Sequence, residues 1–149
     1  MFADDQFVNQ QFMEMMLQDL GLSSYLKIFS NGDETVKFVE SFLNSQFLDF
    51  EDVVQPISLL ILDINMPELN GLECSSKIKQ LYIDKNRQTQ SNKLLRPCII
   101  FMTQTPLTVM NAFMESDETP DLYLEKPVDV KIFSDLLTIL DITTQKLDY

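Results

Sequence analysis

The sequence predicts an α/β fold, in which helices cover both faces of a parallel β-sheet. Short apolar or alternating segments are followed by stretches of helical periodicity, five times along the 149 residues. Two of these segments, Leu59–Leu62 and Pro97–Met102, are apolar throughout, as in strands that are buried on both faces. Because the connections between parallel strands are right-handed, few topologies satisfy this order.

A predicted helix follows each predicted strand. The predicted strands are Met1–Ala3, Tyr25–Ser30, Leu59–Leu62, Pro97–Met102 and Asp121–Glu125. The first is only about three residues long and ends at Asp4-Asp5. Asn31-Gly32 follows the second and turns the chain into a helix.

The helices are predicted from apolar residues that recur at helical spacing. The first places Phe7 or Val8, Phe12, Met15, Met16 and Leu20 in the core and ends at Gly21. The second carries Val36, Val39, Phe42 and Leu43, and the third, from Asn70 to Ile83 or beyond, carries Leu72, Ile78 and Leu81. The fourth spans Pro106–Met114, and the fifth, from Asp129 to about Thr144, packs through Val130, Phe133, Leu136, Leu137 and Leu140.

The composition indicates one globular domain, residues 1–149, that is found in the cytosol. Hydrophobic residues make up 45% of the chain, which favours a packed core over disorder. No apolar run approaches the roughly 18 residues of a membrane span, and no secretory signal is visible. Two cysteines, Cys74 and Cys98, form no disulfide framework and are expected as free thiols.

The net charge argues against nucleic acid as a general partner. The net charge is −12, whereas phosphate binding requires clustered Lys and Arg. Six of the eleven basic residues lie within one window: Lys77, Lys79, Lys85, Arg87, Lys93 and Arg96. The polar part Asp84–Lys93 reads as a surface loop, into which the third helix could extend. It is either a solvated loop or a docking patch for an acidic partner.

The chain contains no histidine, which excludes several kinds of site. No imidazole is present to act as a base, a metal ligand or a phosphoryl carrier. Any bound metal ion should therefore be a hard cation that is held by oxygen atoms.

Polar residues are concentrated where the predicted strands end. They are Asp4 and Asp5, Asp63 with Asn65, Thr103, and Lys126 followed by Pro127. Because all carboxyl ends of a parallel sheet lie at one edge, these residues should converge. Taken singly, each has an ordinary interpretation as a helix cap, a turn, a strand-end residue or a solvated lysine. Their shared position favours a common site.

Three carboxylates, a hydroxyl and an ammonium group suit the binding of phosphoryl groups. Mg²⁺ takes few protein ligands and would relieve the repulsion among the acids. Asp63 could then act as a nucleophile that forms an acyl phosphate. Lys126 and Mg²⁺ would neutralise the transferred group, and Thr103 would donate a hydrogen bond to it.

With these residues the chain resembles the receiver domains of two-component response regulators, including those of hybrid histidine kinases. The matching motifs are Asp4-Asp5, Asn31-Gly32, the DxxMPxxxG run from Asp63 to Gly71, Thr103, and the segment from Tyr123 to Pro127. The resemblance spans essentially the whole chain. It implies a flavodoxin-like, doubly wound, five-stranded parallel sheet of order 2-1-3-4-5 with helices on both faces.

The resemblance also implies a role for each residue of the site. Asp63 accepts a phosphoryl group from a phosphohistidine on a histidine kinase or a histidine phosphotransfer protein. Asp4, Asp5, Asp63 and the carbonyl of Asn65 hold Mg²⁺, and Lys126 and Thr103 assist catalysis. Thr103 and Tyr123 form a switch that changes the surface offered to a downstream protein effector. The Lys126–Pro127 bond is expected to be cis.

Three departures from the family pattern stand out. The first strand is apparently truncated although it is central in this fold, so residues could be missing upstream. Gln104 stands where the family usually has a small residue, and could narrow the access of the donor. The connections around Phe47–Gln55 and Asp84–Lys93 are unusually long, but they lie at the edge opposite the site.

Two other functions compete with the phosphoacceptor. One is a phosphorylation-independent pseudo-receiver, an interaction module that uses Gln104 and the acidic surface. The other is a phosphatase of the haloacid-dehalogenase type, which needs a second acid two residues after the nucleophile. Asn65 occupies that position, which argues against this enzyme. The resemblance places the output surface on the fourth helix, fifth strand and fifth helix.

Overall fold

Five parallel strands form one sheet, in the order β2-β1-β3-β4-β5. The computed structural model describes residues 1–45, 56–88, 93–110 and 119–142. The strands are β1 (Phe2–Ala3), β2 (Ile28–Phe29), β3 (Leu59–Leu62), β4 (Cys98–Thr103) and β5 (Leu122–Glu125). The predicted class, strand order and connectivity are confirmed.

A helix follows every strand. The helices are α1 (Phe7–Asp19), α2 (Gly32–Ser45), α3 (Gly71–Gln88), α4 (Leu107–Met110) and α5 (Val130–Ile139). The rest of the predicted fourth helix (111–114), the end of the predicted fifth (143–144) and the Phe47–Gln55 connector lie outside the described residues. Within the described residues, no helix is long and apolar enough to cross a membrane.

Alternate side chains of the central strands fill two separate cores. Leu60 and Leu62 of β3 pack with α2 and α3 on one face of the sheet. Ile61 packs with Met16 of α1 and Phe133 of α5 on the other face. Successive side chains of a strand point to opposite faces, and here both faces are covered. This explains why β3 is apolar without alternation.

The predicted core face of α1 is largely wrong. Met16 is buried, but Phe7, Val8, Phe12 and Met15 are exposed, with 67%, 73%, 41% and 64% of their surface accessible. The buried residues of α1 are instead Met13, Met16 and Leu17. Helical spacing allowed either face, since apolar residues occur on both. The observed rotation also allows Asn9, on the same face as Met13 and Met16, to hydrogen-bond Asp4.

The second strand is shorter than predicted. Ser23–Tyr25 forms a 3₁₀ turn, and only Ile28–Phe29 of the predicted Tyr25–Ser30 is strand. The register explains this, because β2 pairs with β1 alone, through Phe2 opposite Ile28 and Ala3 opposite Phe29. A strand at the edge of a sheet can be no longer than the partner that it pairs with.

The third helix extends beyond Ile83, as the prediction allowed, and the fifth differs from its prediction in one detail. The third reaches Gln88, so the Asp84–Lys93 segment begins as helix. Bonds from Gln80 and Arg87 to Asp84 support this last part, as pairs at spacings of three and four do. In α5, Val130 is 43% exposed rather than packed, because it lies in the first turn beside the N-cap Asp129.

Candidate functional site

The carboxyl edge of the sheet brings together side chains from three strand ends. Asp4 directly follows β1, Asp63 directly follows β3, and Lys126 directly follows β5. The Lys126 ammonium lies 2.7 Å from Asp4 Oδ2 and 3.2 Å from Asp63 Oδ2. All three side chains are buried, with at most 10% of their surface exposed. The result is a buried ionic triad in which one ammonium serves two carboxylates.

Asp5 adds a third carboxylate at the mouth of the triad. Asp4, Asp5 and Asp63 each offer a carboxylate oxygen, and these atoms lie within 4.8 Å of one another. Asp5 is exposed, whereas the other two are buried. The three carboxylates outnumber the one ammonium, and two of these carboxylates are buried. Such a set of oxygen donors fits a hard divalent cation.

Opposing effects act on the pKa of the Asp63 carboxylate. Burial raises its pKa most strongly, the nearby Lys126 lowers it, and Asp4 raises it again. The amide of Ile64 donates a hydrogen bond of 2.9 Å to Asp63 Oδ1, which also favours the charged form. The Asp63 carboxylate is therefore held in one orientation, and Lys126 and the Ile64 amide favour its charged form against the effect of burial.

The loop after Asp63 is shaped by two glycines. A Cβ atom at Gly71 would lie 2.3 Å from the carbonyl oxygen of Asp63, and one at Gly32 would lie 2.3 Å from that of Leu69. Both glycines also donate backbone hydrogen bonds to this loop, Gly71 to Ile64 and Gly32 to Leu69. The Gly in DxxMPxxxG and the Gly after Asn31 thus allow α3 and α2 to approach the loop closely.

Thr103 lies at the end of β4, next to the triad. It is 2% exposed, its Oγ1 accepts a hydrogen bond from the amide of Thr105, and its carbonyl accepts one from the amide of Lys126. The following residue, Gln104, is exposed. Asn65, two residues after Asp63, is exposed too.

Tyr123 lies further from the edge than Thr103. The strand register sets it opposite Phe101, whereas Thr103 is opposite Glu125. Its half-buried ring meets that of Phe101 edge to face, with 5.8 Å between the ring centroids. The Lys126–Pro127 peptide bond is cis, as expected.

Two residues that the sequence did not single out hold the first acid. The side-chain amide of Asn9 donates to both carboxylate oxygens of Asp4, at 3.0 Å each. The side-chain amide of Gln10 donates to the Asp4 carbonyl at 2.7 Å. The only sequence signal is two adjacent amides in the first turn of the helix that follows the acid pair.

No protein-family model and no curated protein matches the chain. Several solved structures with the same fold are receiver domains. One is the receiver domain of the sensor histidine kinase PA1611 from Pseudomonas aeruginosa, with a magnesium ion in its active site cleft. It is 22% identical, with a TM-score of 0.66 and 93% of each chain covered.

Two further structures come from eukaryotes. The receiver domain of the histidine kinase CKI1 from Arabidopsis thaliana, complexed with Mg²⁺ and BeF3⁻, is 18% identical with a TM-score of 0.72, covering 94% of this chain and 87% of that one. The receiver domain of Ssk1 from Saccharomyces cerevisiae, crystallised with the histidine phosphotransfer protein Ypd1, is 20% identical with a TM-score of 0.68, covering 92% and 83%. The triad of this chain lies at the carboxyl edge of a sheet with the same architecture. The chain has the fold of the response regulator receiver domains.

Proposed function

We propose that this protein is a phosphoacceptor receiver domain of a two-component phosphorelay, with Asp63 as the acceptor. The observation that carries the proposal is the triad, in which the Lys126 ammonium touches the carboxylates of both Asp63 and Asp4. An acid that is oriented by an amide and flanked by a cation is a suitable nucleophile for phosphorus. The other receiver structures on this fold support the assignment.

The reaction is the transfer of a phosphoryl group from nitrogen to oxygen. A carboxylate oxygen of Asp63 bonds to the phosphorus of a phosphohistidine on a partner protein, and the phosphorus–nitrogen bond breaks. The electron pair of that bond stays on the leaving imidazole nitrogen, which then takes a proton from solvent. Lys126 stabilises the negative oxygens of the transferred group, and Thr103 donates its hydroxyl to one of them.

Mg²⁺ is the cofactor that fits the three acids. Asp4, Asp5 and Asp63 would hold it, together with the backbone carbonyl of Asn65. The ion supplies positive charge for the phosphoryl oxygens and relieves the repulsion among the carboxylates. The receiver domains of PA1611 and CKI1 were both crystallised with magnesium, which supports this choice.

Phosphorylation would act as a switch through Thr103 and Tyr123. The Thr103 hydroxyl moves towards the new phosphoryl group, and the Tyr123 ring turns inwards from its half-buried position. Two such states differ by a local change of charge, and a downstream protein effector would bind one of them better. The protein thus takes part in its own phosphotransfer and dephosphorylation without being a conventional enzyme. We place it in the cytoplasm, alone or as part of a larger kinase.

The phosphohistidine partner would dock on α1. This helix begins two residues after Asp5, and its exposed apolar residues Val8, Phe12 and Met15 lie on one face. An exposed apolar stripe that adjoins the acceptor suits a partner that must bring its histidine to Asp63. The co-crystal of Ypd1 with the Ssk1 receiver supports a histidine phosphotransfer protein as this partner.

The variant Phe12→Asp tests this docking surface. We expect phosphotransfer from a phosphorylated histidine phosphotransfer protein to slow by at least tenfold, since the loss of a buried aromatic contact costs about 2 kcal/mol or more. Labelling by acetyl phosphate, which needs no docking, should not change. The control is Ile139→Asp, which alters an apolar and even more exposed residue at the far end of α5. Equal slowing by both variants would contradict the α1 surface.

A second candidate function is a pseudo-receiver that binds partners without phosphorylation. The observation in its favour is Gln104, a large exposed side chain directly after Thr103. If Gln104 blocks the donor, the fold and the metal site would persist but phosphorylation would not. Replacement of Gln104 by Ala would then restore labelling.

The decisive experiment is incubation with acetyl phosphate and Mg²⁺, followed by intact mass measurement. We expect one added phosphoryl group, and none when a chelator is present. The variant Asp5→Ala should bind Mg²⁺ more weakly and label more slowly, because it loses one of the three acids. Asp19→Ala, which removes an exposed acid at the far end of α1, serves as the control. A folded protein that binds Mg²⁺ and acquires no adduct from any donor would favour the pseudo-receiver.

A further inference from the structure

Both oxygens of the buried Asp4 carboxylate accept hydrogen bonds from within the protein. Oδ1 accepts one from the backbone amide of Gln6 at 2.9 Å and one from Asn9 Nδ2 at 3.0 Å. Oδ2 accepts one from the same Asn9 nitrogen at 3.0 Å and one from the Lys126 ammonium at 2.7 Å. A carboxylate has about four lone-pair sites, so these contacts take up most of what Asp4 can accept.

Asn9 lies in front of the Asp4 carboxylate, because its Nδ2 is 3.0 Å from each oxygen. An ion that was bound through both oxygens of a carboxylate would be equidistant from them in the same way. The side chain is held in this orientation by Gln6, whose Oε1 accepts a further bond from Asn9 Nδ2 at 3.4 Å. The amide therefore stands where a bidentate ion would have to bind.

This position matters because Mg²⁺ and Ca²⁺ use carboxylates differently. Ca²⁺ takes roughly six to eight oxygen ligands and often both oxygens of one carboxylate. Mg²⁺ is smaller, requires an octahedral arrangement, and keeps several waters beside one or two carboxylates. The acids Asp4, Asp5 and Asp63 alone would serve either ion. An Asp4 that offers at most one oxygen favours Mg²⁺.

We infer that Asn9 makes the candidate metal site selective for Mg²⁺ over Ca²⁺, since its amide keeps Asp4 from binding an ion through both oxygens. The inference rests on the proposed function, in which the three acids hold the ion. Asn9 is a positioning residue that acts through Asp4, as the hydrogen-bonding partners of metal ligands do. Without the amide, Ca²⁺ gains a ligand oxygen that Mg²⁺ has no room to use.

The test compares the affinities for Mg²⁺ and Ca²⁺, each obtained from the rise of the thermal-unfolding midpoint with ion concentration. Asn9→Leu removes the amide and keeps the size of the side chain, and Asn9→Ala tests the same point if leucine is poorly accommodated. Asn9 is partly exposed, so both variants should fold. The control is Gln10→Leu, because the Gln10 amide donates to the backbone carbonyl of Asp4, at 2.7 Å.

In both Asn9 variants, the ratio of the Ca²⁺ to the Mg²⁺ dissociation constant should fall about tenfold, the lower end of the usual effect of removing a partner from a metal ligand. Gln10→Leu should leave that ratio unchanged, even if it weakens the binding of both ions. A merely structural contact would change both affinities by the same factor, so the ratio isolates the effect on the Asp4 carboxylate.

An unchanged ratio in both Asn9 variants, or an equal change in Gln10→Leu, would overturn the inference. Asp5→Ala separates this failure from a failure of the proposed function. If Asp5→Ala weakens the binding of both ions while the Asn9 variants leave the ratio unchanged, the metal site stands and only the role of Asn9 is wrong. If the original chain binds neither ion, the metal site itself is wrong and the inference falls with it.

Discussion

The Asp63→Asn variant should acquire no phosphoryl group from acetyl phosphate and should also be more stable than the original chain at pH 7. Asparagine has the shape of aspartate and keeps an oxygen for the Ile64 amide, which donates to Asp63 Oδ1. It has no charge and cannot form the acyl phosphate. Lys126 keeps its contact with Asp4, at 2.7 Å. We expect a gain of about 1 kcal/mol in the free energy of unfolding, as is common when a functional charge is removed.

The pH dependence of that gain follows from the sign of the pKa shift. Burial raises the pKa of Asp63 above its ordinary value of 3.8, so the folded state binds this proton more tightly than the unfolded state. The favourable contribution of Asp63 is thus complete below pH 3.8 and is lost as the pH rises through the higher pKa of the folded state. The advantage of Asp63→Asn should therefore be largest at neutral pH and disappear in acid.

Thermal unfolding in the absence of Mg²⁺, at pH 7 and near pH 4, measures this effect. The control is Asp19→Asn, which removes one exposed acid from a chain of net charge −12 without touching the triad. It accounts for any general relief of repulsion. The Asp63 charge would not be destabilising if Asp63→Asn raised the unfolding midpoint no more than Asp19→Asn does. An equal rise at both pH values would contradict it too. Labelling of Asp63→Asn would place the acceptor elsewhere.

Removal of the ammonium in Lys126→Met should have the second large effect. The Lys126 side chain is 10% exposed and is within 3.2 Å of two buried carboxylates. Without it, two acids remain buried with no cation between them. Loss of one partner from a buried ion pair costs about 3–5 kcal/mol, and we expect the lower end of that range here. Phosphorylation should slow by roughly 10²–10³-fold, the usual effect of removing one group that stabilises the transition state.

Mg²⁺ should restore part of the stability of Lys126→Met but not its rate of phosphorylation. The ion replaces the lost charge beside Asp4 and Asp63, whereas the contact of the ammonium with the transferred group stays missing. Urea unfolding with and without Mg²⁺, together with the time course of labelling, separates the two effects. The control is Lys131→Met, whose side chain is 83% exposed and pairs with Asp135 along α5. If both variants had the same stability and labelling rate, Lys126 would have no special role.

The polar residues at the carboxyl edge of the sheet could be predicted because the connectivity of strands and helices determines which residues lie there. A strand that is followed by a helix in a parallel sheet always ends at the same edge, so Asp4, Asp63 and Lys126 were expected at one edge wherever the elements themselves were correct. The distances among them confirm the convergence that the alternation predicted. Small errors in element boundaries did not matter, since each of these residues directly follows its strand.

The face of α1 could not be predicted in this way. Its apolar residues lie on two sides of the helix, and periodicity alone cannot choose between them. In the observed rotation the side-chain amide of Asn9 binds both oxygens of Asp4 across the junction between β1 and α1. Met13 and Met16 are turned to the core, and Phe12 is left in solvent. A hydrogen bond across a strand–helix junction has no signature in hydrophobic spacing.

The sequence by itself determined the class of the fold, the order in which strands and helices follow one another, and the set of polar residues at one edge. These depend on local patterns of apolar residues, turns and strand-end side chains, which each segment carries within itself. Only the tertiary structure decided which face of α1 is exposed, that one ammonium serves two acids, and that the side chain of Asn9 binds Asp4. Each of these depends on how separate segments lie relative to one another, because packing and hydrogen bonds between segments set them.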